Sequence, residues 1–280
     1  MNKLDIIKLS IEEDLGQGDV TTDPIFTTES TTAKLIVKEE GIIAGIEVFK
    51  QVFEVVNPSV EVNFTAKDGD NVSVGQVIAT ISGLTKSILH AERVGLNLMQ
   101  RMSGVATLTS KYVAELANDK TKIYDTRKTT PMLRLFEKEA VVIGGGENHR
   151  YNLGDQVLIK DNHIAAAGSI TKAVHLTHNA SPNLQIEVEC ETLAQVEECL
   201  DTKLVDIIML DNMSNQMMSE AVALIDEKSI VEASGNMTIA RISEVSKLGV
   251  DRISVGNLTH SYTSLDISLK MEDDYANKDM

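Results

Sequence analysis

From about Lys122 onward the chain alternates short apolar, β-branched runs with amphipathic stretches. The strand-like runs are 122–125, 141–144, 157–160, 185–189, 205–210, 229–233 and 252–255. The helix-like stretches are 132–138, 170–178, 193–200, 215–225 and 239–248. The centres of the last four runs lie roughly 21 to 23 residues apart, room for a strand, a crossover helix and two short loops. Strands that are apolar on both faces belong to a parallel sheet covered by helices. Seven of them favour a closed or nearly closed α/β barrel over an open sheet.

The first third reads differently. Residues 4–14 suit a short amphipathic helix and 33–39 alternate as a strand. Residues 45–56 have helical spacing, and 60–64, 72–74 and 76–81 are short strands among turns, so a small α+β layer is expected. Residues 87–117 carry one apolar stripe at steps of three and four, from Ile88 to Leu116. Ser103-Gly104 is expected to break or kink that helix and to mark the joint between parts. The expected division is an N-terminal domain over 1–105 and a barrel over 106–267. The tail 268–280 is expected near the first domain, with its acidic last residues frayed.

The chain has 26 Lys+Arg against 42 Asp+Glu, a net of −16. Aromatics are 4% and Trp is absent, which argues against a base-stacking surface and against general binding to nucleic acid or anionic membranes. Yet Arg127, Lys128, Arg134, Lys138, His149, Arg150, Lys160 and His163 fall in one window. Cations gathered in an acidic protein imply an anion to hold. Cys190 and Cys199 show no zinc spacing and read as buried free thiols in a reducing compartment. The first residues are charged without an apolar core, and no apolar run has membrane length, so a soluble cytoplasmic protein is expected.

In a parallel barrel the active site lies at the carboxyl ends of the strands. Those ends here supply Arg127-Lys128, Lys160-Asp161-Asn162-His163, Glu189-Cys190, Asp211-Asn212, Ser234-Gly235-Asn236 and Gly256-Asn257. The last two resemble a phosphate site, with Thr238 or Asn236 as the cap of the next helix; ordinary turns would use the same residues. Glu189 and Asp211 end neighbouring strands, suiting Mg²⁺ or a cationic transition state; the plain alternative is ion pairing with nearby lysines. Pro131 pushes Thr130 into an extended conformation, so 126–131 reads as a loop that frees Arg127 and Lys128 to turn toward a ligand; the plain alternative is a solvated charge pair. Gly144-Gly145-Gly146 lacks dinucleotide-motif spacing and reads as flexible backbone before His149-Arg150.

At these residues the chain resembles a known family. TRKTTP, R-x-x-E-K, GG…HR, L-x-K-D-N-H, V-E-V-E, L-D-N, E-A-S-G and S-V-G-x-L-T-H-S occur in order. Upstream, E-D-L-G-x-G-D-x-T-T and A-E-R-x-x-L-N-x-x-x-x-x-S-G-x-A-T also match. The series is similar to quinolinate phosphoribosyltransferases, the carboxylating nicotinate-nucleotide pyrophosphorylases, over roughly residues 10 to 270. The resemblance implies an α/β-sandwich N-terminal domain and an incomplete seven-stranded barrel. It implies that quinolinate and phosphoribosyl pyrophosphate give nicotinate mononucleotide, pyrophosphate and CO₂ in NAD biosynthesis, with Mg²⁺.

By the same resemblance Arg127, His149, Arg150 and Lys160 bind quinolinate, and Arg93 reaches the site from a neighbouring subunit of a dimer or hexamer. Lys128 lies near pyrophosphate or the second carboxylate. Glu189 and Asp211 serve the metal and the ribose, and Ser234, Gly235, Asn236, Gly256 and Asn257 hold the 5′-phosphate. Arg, Lys and protonated His suit a dianionic substrate. No protein nucleophile is required, which leaves Cys190 out. The rival readings are a paralogous phosphoribosyltransferase, a Schiff-base aldolase using Lys160, and a non-catalytic anion binder.

Overall fold

The computed structural model describes residues 2–272, and local chemistry sets its element boundaries. Helix α1 (Lys3–Leu15) opens with a capping box: the Asn2 side chain accepts from Asp5 N–H, and the Asp5 carboxylate accepts from Asn2 N–H. There follow α2 (Thr22–Ile25), β1 (Ser30–Val37), β2 (Gly41–Ile42), α3 (Ile46–Val56), β3 (Glu61–Phe64), β4 (Asn71–Val72), β5 (Val77–Leu84) and α4 (Thr85–Ala114). Next come β6 (Lys122–Tyr124), α5 (Arg134–Ile143), β7 (Val157–Ile159), α6 (Asp161–Ala167), α7 (Ile170–Ala180), β8 (Ile186–Cys190) and α8 (Leu193–Thr202). The chain continues with β9 (Ile207–Asp211), α9 (Asn215–Ile225), β10 (Ile230–Ser234), α10 (Ile239–Ser246), β11 (Arg252–Ser254), α11 (Asn257–His260) and β12 (Ile267–Met271).

Two compact units result. The first takes the described residues up to Ser110, Thr130–Gly145, and those from Tyr262 on. The second takes Lys111–Thr129 and Gly146–Ser261. Segment 130–145, assigned from sequence to the barrel half, thus makes its contacts with the first unit. So does the end of the chain, where β12 pairs antiparallel with β1 from Ala33↔Met271 to Val37↔Ile267. The acidic end expected to fray, 271–280, begins in ordered chain, since Met271 closes β12 and Glu272 N–H donates to Thr32 C=O; residues 273–280 lie outside the described residues.

In the first unit the antiparallel order is β12-β1-β5-β3. Strand β1 buries every second residue, Thr31, Ala33, Leu35 and Val37, as period-2 side chains require. Val48, Phe49, Val52 and Phe53 of α3 form the buried apolar stripe of that helix. Phe49 stacks on Phe53 at 4.8 Å and meets Phe64 edge-on at 5.7 Å between centroids. Truncating Phe49 to Ala should cost about 3–5 kcal/mol.

Two sequence expectations are corrected here. Helix α4 runs unbroken through Ser103-Gly104. Ser103 Oγ accepts from Ala44 N–H at 2.9 Å and donates to Ala44 C=O. Gly104 serves close approach instead of a break: a Cβ there would lie 2.2 Å from the Thr263 carbonyl oxygen. Residues 141–143, read as a strand from their β-branched run, are the last turn of α5. Helical spacing wins because Phe136, Ala140 and Val141 bury one face. Gly144 follows, where a Cβ would lie 2.5 Å from Ala106 C=O. Buried Glu137 anchors α5, accepting from Arg101 Nη1 at 2.7 Å and from Thr130 N–H at 2.9 Å.

The second unit holds a parallel sheet in the order β6-β11-β10-β9-β8-β7. A seventh position exists beyond β6, reduced to one parallel bridge between Tyr124 and Glu147. The seventh element therefore falls at Glu147, three residues after the end of the run expected to form it. No ladder joins β7 to Glu147 among the described residues, so the barrel is incomplete. Ser169, Thr192 and Ser214 cap α7, α8 and α9 through their side chains. The sheet's two sides are unlike. Ile186, Val188, Ile208 and Leu210 are apolar, while Glu187, Glu189, Asp211, Glu232 and Ser234 alternate with them.

Candidate active site

The carboxyl ends of β6 to β11 surround a cavity of about 830 Å³, wholly within the second unit. One side is built from cations. Arg127 and Lys128 come from the loop after β6, His149 and Arg150 from the loop after Glu147, and Lys160 from the end of β7. Burial, and then the neighbouring Arg127 guanidinium, hold Arg150 below the ordinary arginine value; Glu187 and Asp155 pull it back up. Two guanidinium groups close enough to repel make a site for a multiply charged anion. Arg150 is held at both ends: Nη1 donates to Gln156 C=O at 3.1 Å, and its N–H donates to His149 Nδ1 at 2.9 Å.

That second bond fixes the histidine. Nδ1 accepts, so the ring proton sits on Nε2, 3.0 Å from Glu187 Oε2 and 3.5 Å from Glu232 Oε1. His149 is therefore a neutral imidazole, where a protonated ring was expected. Its N–H donates to Asp125 Oδ1 at 2.8 Å, and it is 7% exposed. Burial, and then Glu187, push the Glu232 carboxyl up to about 7.

The opposite side is turned backbone. Asn212 and Asn236 adopt left-handed φ of 54° and 50°, and Gly235 lies between the strand end and Asn236 at 87°. A Cβ on Gly235 would sit 2.3 Å from Asn212 Oδ1, so only glycine fits. Asn236 Nδ2 donates to Asn212 Oδ1 at 3.2 Å. Arg241 of α10 braces both turns, donating to Gly235 C=O and Met213 C=O. Thr238 occupies the N-cap of α10 with no side-chain cap bond. At Gly256 a Cβ would lie 3.0 Å from Lys128 Cδ, and Thr259 Oγ1 donates to Lys128 C=O at 2.9 Å.

Between these sides stand the two carboxylates. Lys160 Nζ donates to Glu189 Oε2 at 2.5 Å, and Asn212 Nδ2 donates to Asp211 Oδ2 at 2.6 Å. Each acid keeps its second oxygen for another cation. Cys190, next to Glu189, is fully buried, with its Sγ 3.5 Å from that of Cys199. The Cys199 contact and burial push its thiol well above the ordinary range, which excludes it as a nucleophile.

Residues 19–103 match the family model of the quinolinate phosphoribosyl transferase N-terminal domain, and residues 105–270 match that of its C-terminal domain. The chain belongs to the quinolinate phosphoribosyltransferase family. It is 43% identical to a probable carboxylating nicotinate-nucleotide pyrophosphorylase of Bacillus subtilis, over 96% of this chain and 94% of that one. A Synechocystis relative of the same description is also 43% identical, over 93% and 90% of the two chains. Among solved structures, NadC from Streptococcus pyogenes superposes with a TM-score of 0.91 at 44% identity, covering 96% of each chain. Members of this pentosyltransferase family join quinolinate to a phosphoribosyl group.

Of the site residues named from sequence, Arg127, Lys128, His149, Arg150, Lys160, Glu189, Asp211, Ser234, Gly235, Asn236, Gly256 and Asn257 all line the one cavity. Arg93 is exposed on α4 in the first unit. Three cations of the opening window do other work. Arg134 and Lys138 belong to α5, where Lys138 is fully buried, and His163 Nδ1 accepts from Lys160 N–H at the start of α6. Sequence reasoning missed the buried pair Glu187 and Glu232, and also Arg241. A signal existed for the pair: each acid lies two residues before a recognised strand-end residue, Glu189 or Ser234, and therefore on the same face. No comparable pattern marks Arg241 in its amphipathic helix.

Proposed function

We propose that this cavity transfers the phosphoribosyl group of phosphoribosyl pyrophosphate to quinolinate, with loss of CO₂, and that its lining residues divide the work as follows. Arg127, Arg150 and Lys160, with neutral His149 beside them, hold the two carboxylates of quinolinate; the clustering of these groups at one side of the cavity carries the reading. The turns at Ser234, Gly235 and Asn236, and at Gly256 and Asn257, receive the 5′-phosphate, since glycine and left-handed backbone expose N–H groups to an anion. Lys128, packed against Gly256, lies where it can neutralise the pyrophosphate or the second carboxylate.

The reaction needs position and charge more than covalent help. The pyridine nitrogen bonds to the anomeric carbon as the carbon–oxygen bond to pyrophosphate breaks, its electron pair leaving with pyrophosphate. Glu189 and Asp211 face the positive charge that grows on the ribose. The cationic ring nitrogen then accepts the electrons of the C2–carboxylate bond, CO₂ departs, and C2 takes a proton. Glu189 and Asp211, each with an uncommitted oxygen, fit a hard cation, and they would hold Mg²⁺ together with substrate phosphates. When bound, that ion supplies positive charge to the leaving group.

Exposed Arg93 is assigned to the quinolinate site of a neighbouring subunit in a homodimer or hexamer. No helix among the described residues is long and apolar enough to cross a membrane. A cytoplasmic location belongs to the same reading, since buried thiols at Cys190 and Cys199 suit a reducing compartment. The deciding experiment supplies quinolinate labelled at the 2-carboxylate with phosphoribosyl pyrophosphate, with and without Mg²⁺. Labelled CO₂ that needs both substrates and Mg²⁺ is expected. Label retained in the product would overturn the reaction, and release unaffected by chelation would remove the metal.

A further inference from the structure

Beneath the cations lies a closed ring of hydrogen bonds. Glu187 Oε2 lies 3.0 Å from His149 Nε2 and accepts from the Gln156 side-chain amide at 2.8 Å. His149 Nδ1 accepts from Arg150 N–H at 2.9 Å, and Gln156 C=O accepts from Arg150 Nη1 at 3.1 Å. The path therefore runs from Glu187 through His149 to the Arg150 backbone, along the Arg150 side chain, and back through Gln156. Glu187 is fully buried on β8, a rigid strand. Glu232 is also fully buried, on β10, and its Oε1 stands 3.5 Å from His149 Nε2.

A buried carboxylate is costly unless paired. A fold that needed only a filled barrel would place leucine or methionine at these positions. Glu187 instead gives acceptors to two donors that both hold the same arginine. The ring also converts a flexible side chain into a pre-oriented one, since each of its two ends is tied to the sheet through Glu187. Glu232 stands beside Glu187 at the same ring nitrogen, so that two carboxylates face the proton on Nε2 and Nδ1 stays open to Arg150 N–H.

We propose that Glu187, supported by Glu232, is the positioning residue of the quinolinate site: it orients Arg150 through His149 and Gln156 without touching substrate. This inference rests on the assignment of Arg150 to quinolinate and names the group that sets its aim. It separates the acid beneath the cations from Glu189, which is two residues along the same strand face and opens to the cavity.

The test measures KM for quinolinate and for phosphoribosyl pyrophosphate separately, with the unfolding temperature, in Glu187→Ala, Gln156→Ala and the double variant. Glu187→Ala is expected to raise the quinolinate KM about tenfold while the other KM moves less than about twofold. Gln156→Ala, at a half-buried position, should raise the quinolinate KM about threefold, and the double variant should be no worse than Glu187→Ala, because one cut opens the ring. Equal shifts for both substrates, or losses that multiply in the double variant, would overturn the proposal. If Glu187→Ala does not fold, an unchanged quinolinate KM in Gln156→Ala refutes it. Wild-type protein that does not consume quinolinate refutes the assignment of the cavity itself, a result independent of the variants' pattern.

Discussion

One side of the cavity is lined by charged side chains; the other is lined by turned main chain. Arg127, Lys128, Arg150 and Lys160 project charge from two loops and one strand end, where His149 and Gln156 hold Arg150 and Glu189 holds Lys160. The turns at Gly235 and Asn236 instead present main chain set by left-handed φ. The difference teaches where each side is vulnerable. Side-chain recognition fails when a charge is deleted. Backbone recognition fails when a methyl group is added.

The largest effect expected from breaking this contrast is Arg150→Ala. Loss of charged hydrogen bonds to a carboxylate should lower kcat/KM for quinolinate by about 100-fold or more, with phosphoribosyl pyrophosphate KM changed by less than about threefold. Equal losses for both substrates would remove Arg150 from the acid side. Mixing these subunits with inactive Arg93→Ala subunits should restore part of the activity; no recovery would mean that Arg93 acts in its own chain.

Next comes Gly235→Ala, which probes the opposite side. Its φ of 87° and the 2.3 Å approach to Asn212 Oδ1 forbid a Cβ without moving the turn. Phosphoribosyl pyrophosphate KM should rise about tenfold and stability should drop by about 1–3 kcal/mol, with quinolinate KM little changed. A variant that binds both substrates normally would show that this turn does not hold phosphate.

The smallest effect concerns stability beneath the cations. Glu232 has its carboxyl raised from 4.5 to about 7 in the folded protein, by burial and then by Glu187, with Ser254 and Arg252 opposing. Tyr124 also senses its charge. The folded state keeps a proton that the unfolded chain has already released, so stability should fall as pH rises from about 4.5 to about 7 and level off above. Glu232→Gln should lack this decline and be the more stable protein at pH 8 by at least about 1 kcal/mol, a few degrees in Tm. Parallel pH curves for the two proteins would mean that Glu232 does not carry that proton.

The same contrast explains what the sequence disclosed. Strands β8, β9 and β10 were legible because two-sided apolar runs have few other uses, and the polar residues ending them pointed to the cavity. The glycines and asparagines of the turned side were legible as cavity-lining residues by type. Val141-Val142-Ile143 misled because a β-branched run read in isolation hides the helical spacing set by Phe136 and Ala140. Gly104 misled because a close carbonyl, not a bend, requires it, and that carbonyl belongs to Thr263, far along the chain. The charge state of His149 was invisible, since it follows from a bond made by the next residue's N–H.

The pairing of β12 with β1 sets an order on biosynthesis. Residues 30–37 and 77–84 emerge early and can form their ladder at once, but the outer flank of β1 stays open until synthesis reaches Met271. Until then the nascent sheet presents a bare seam able to recruit a stray chain, and a holdase bound there would guard the protein until β12 arrives.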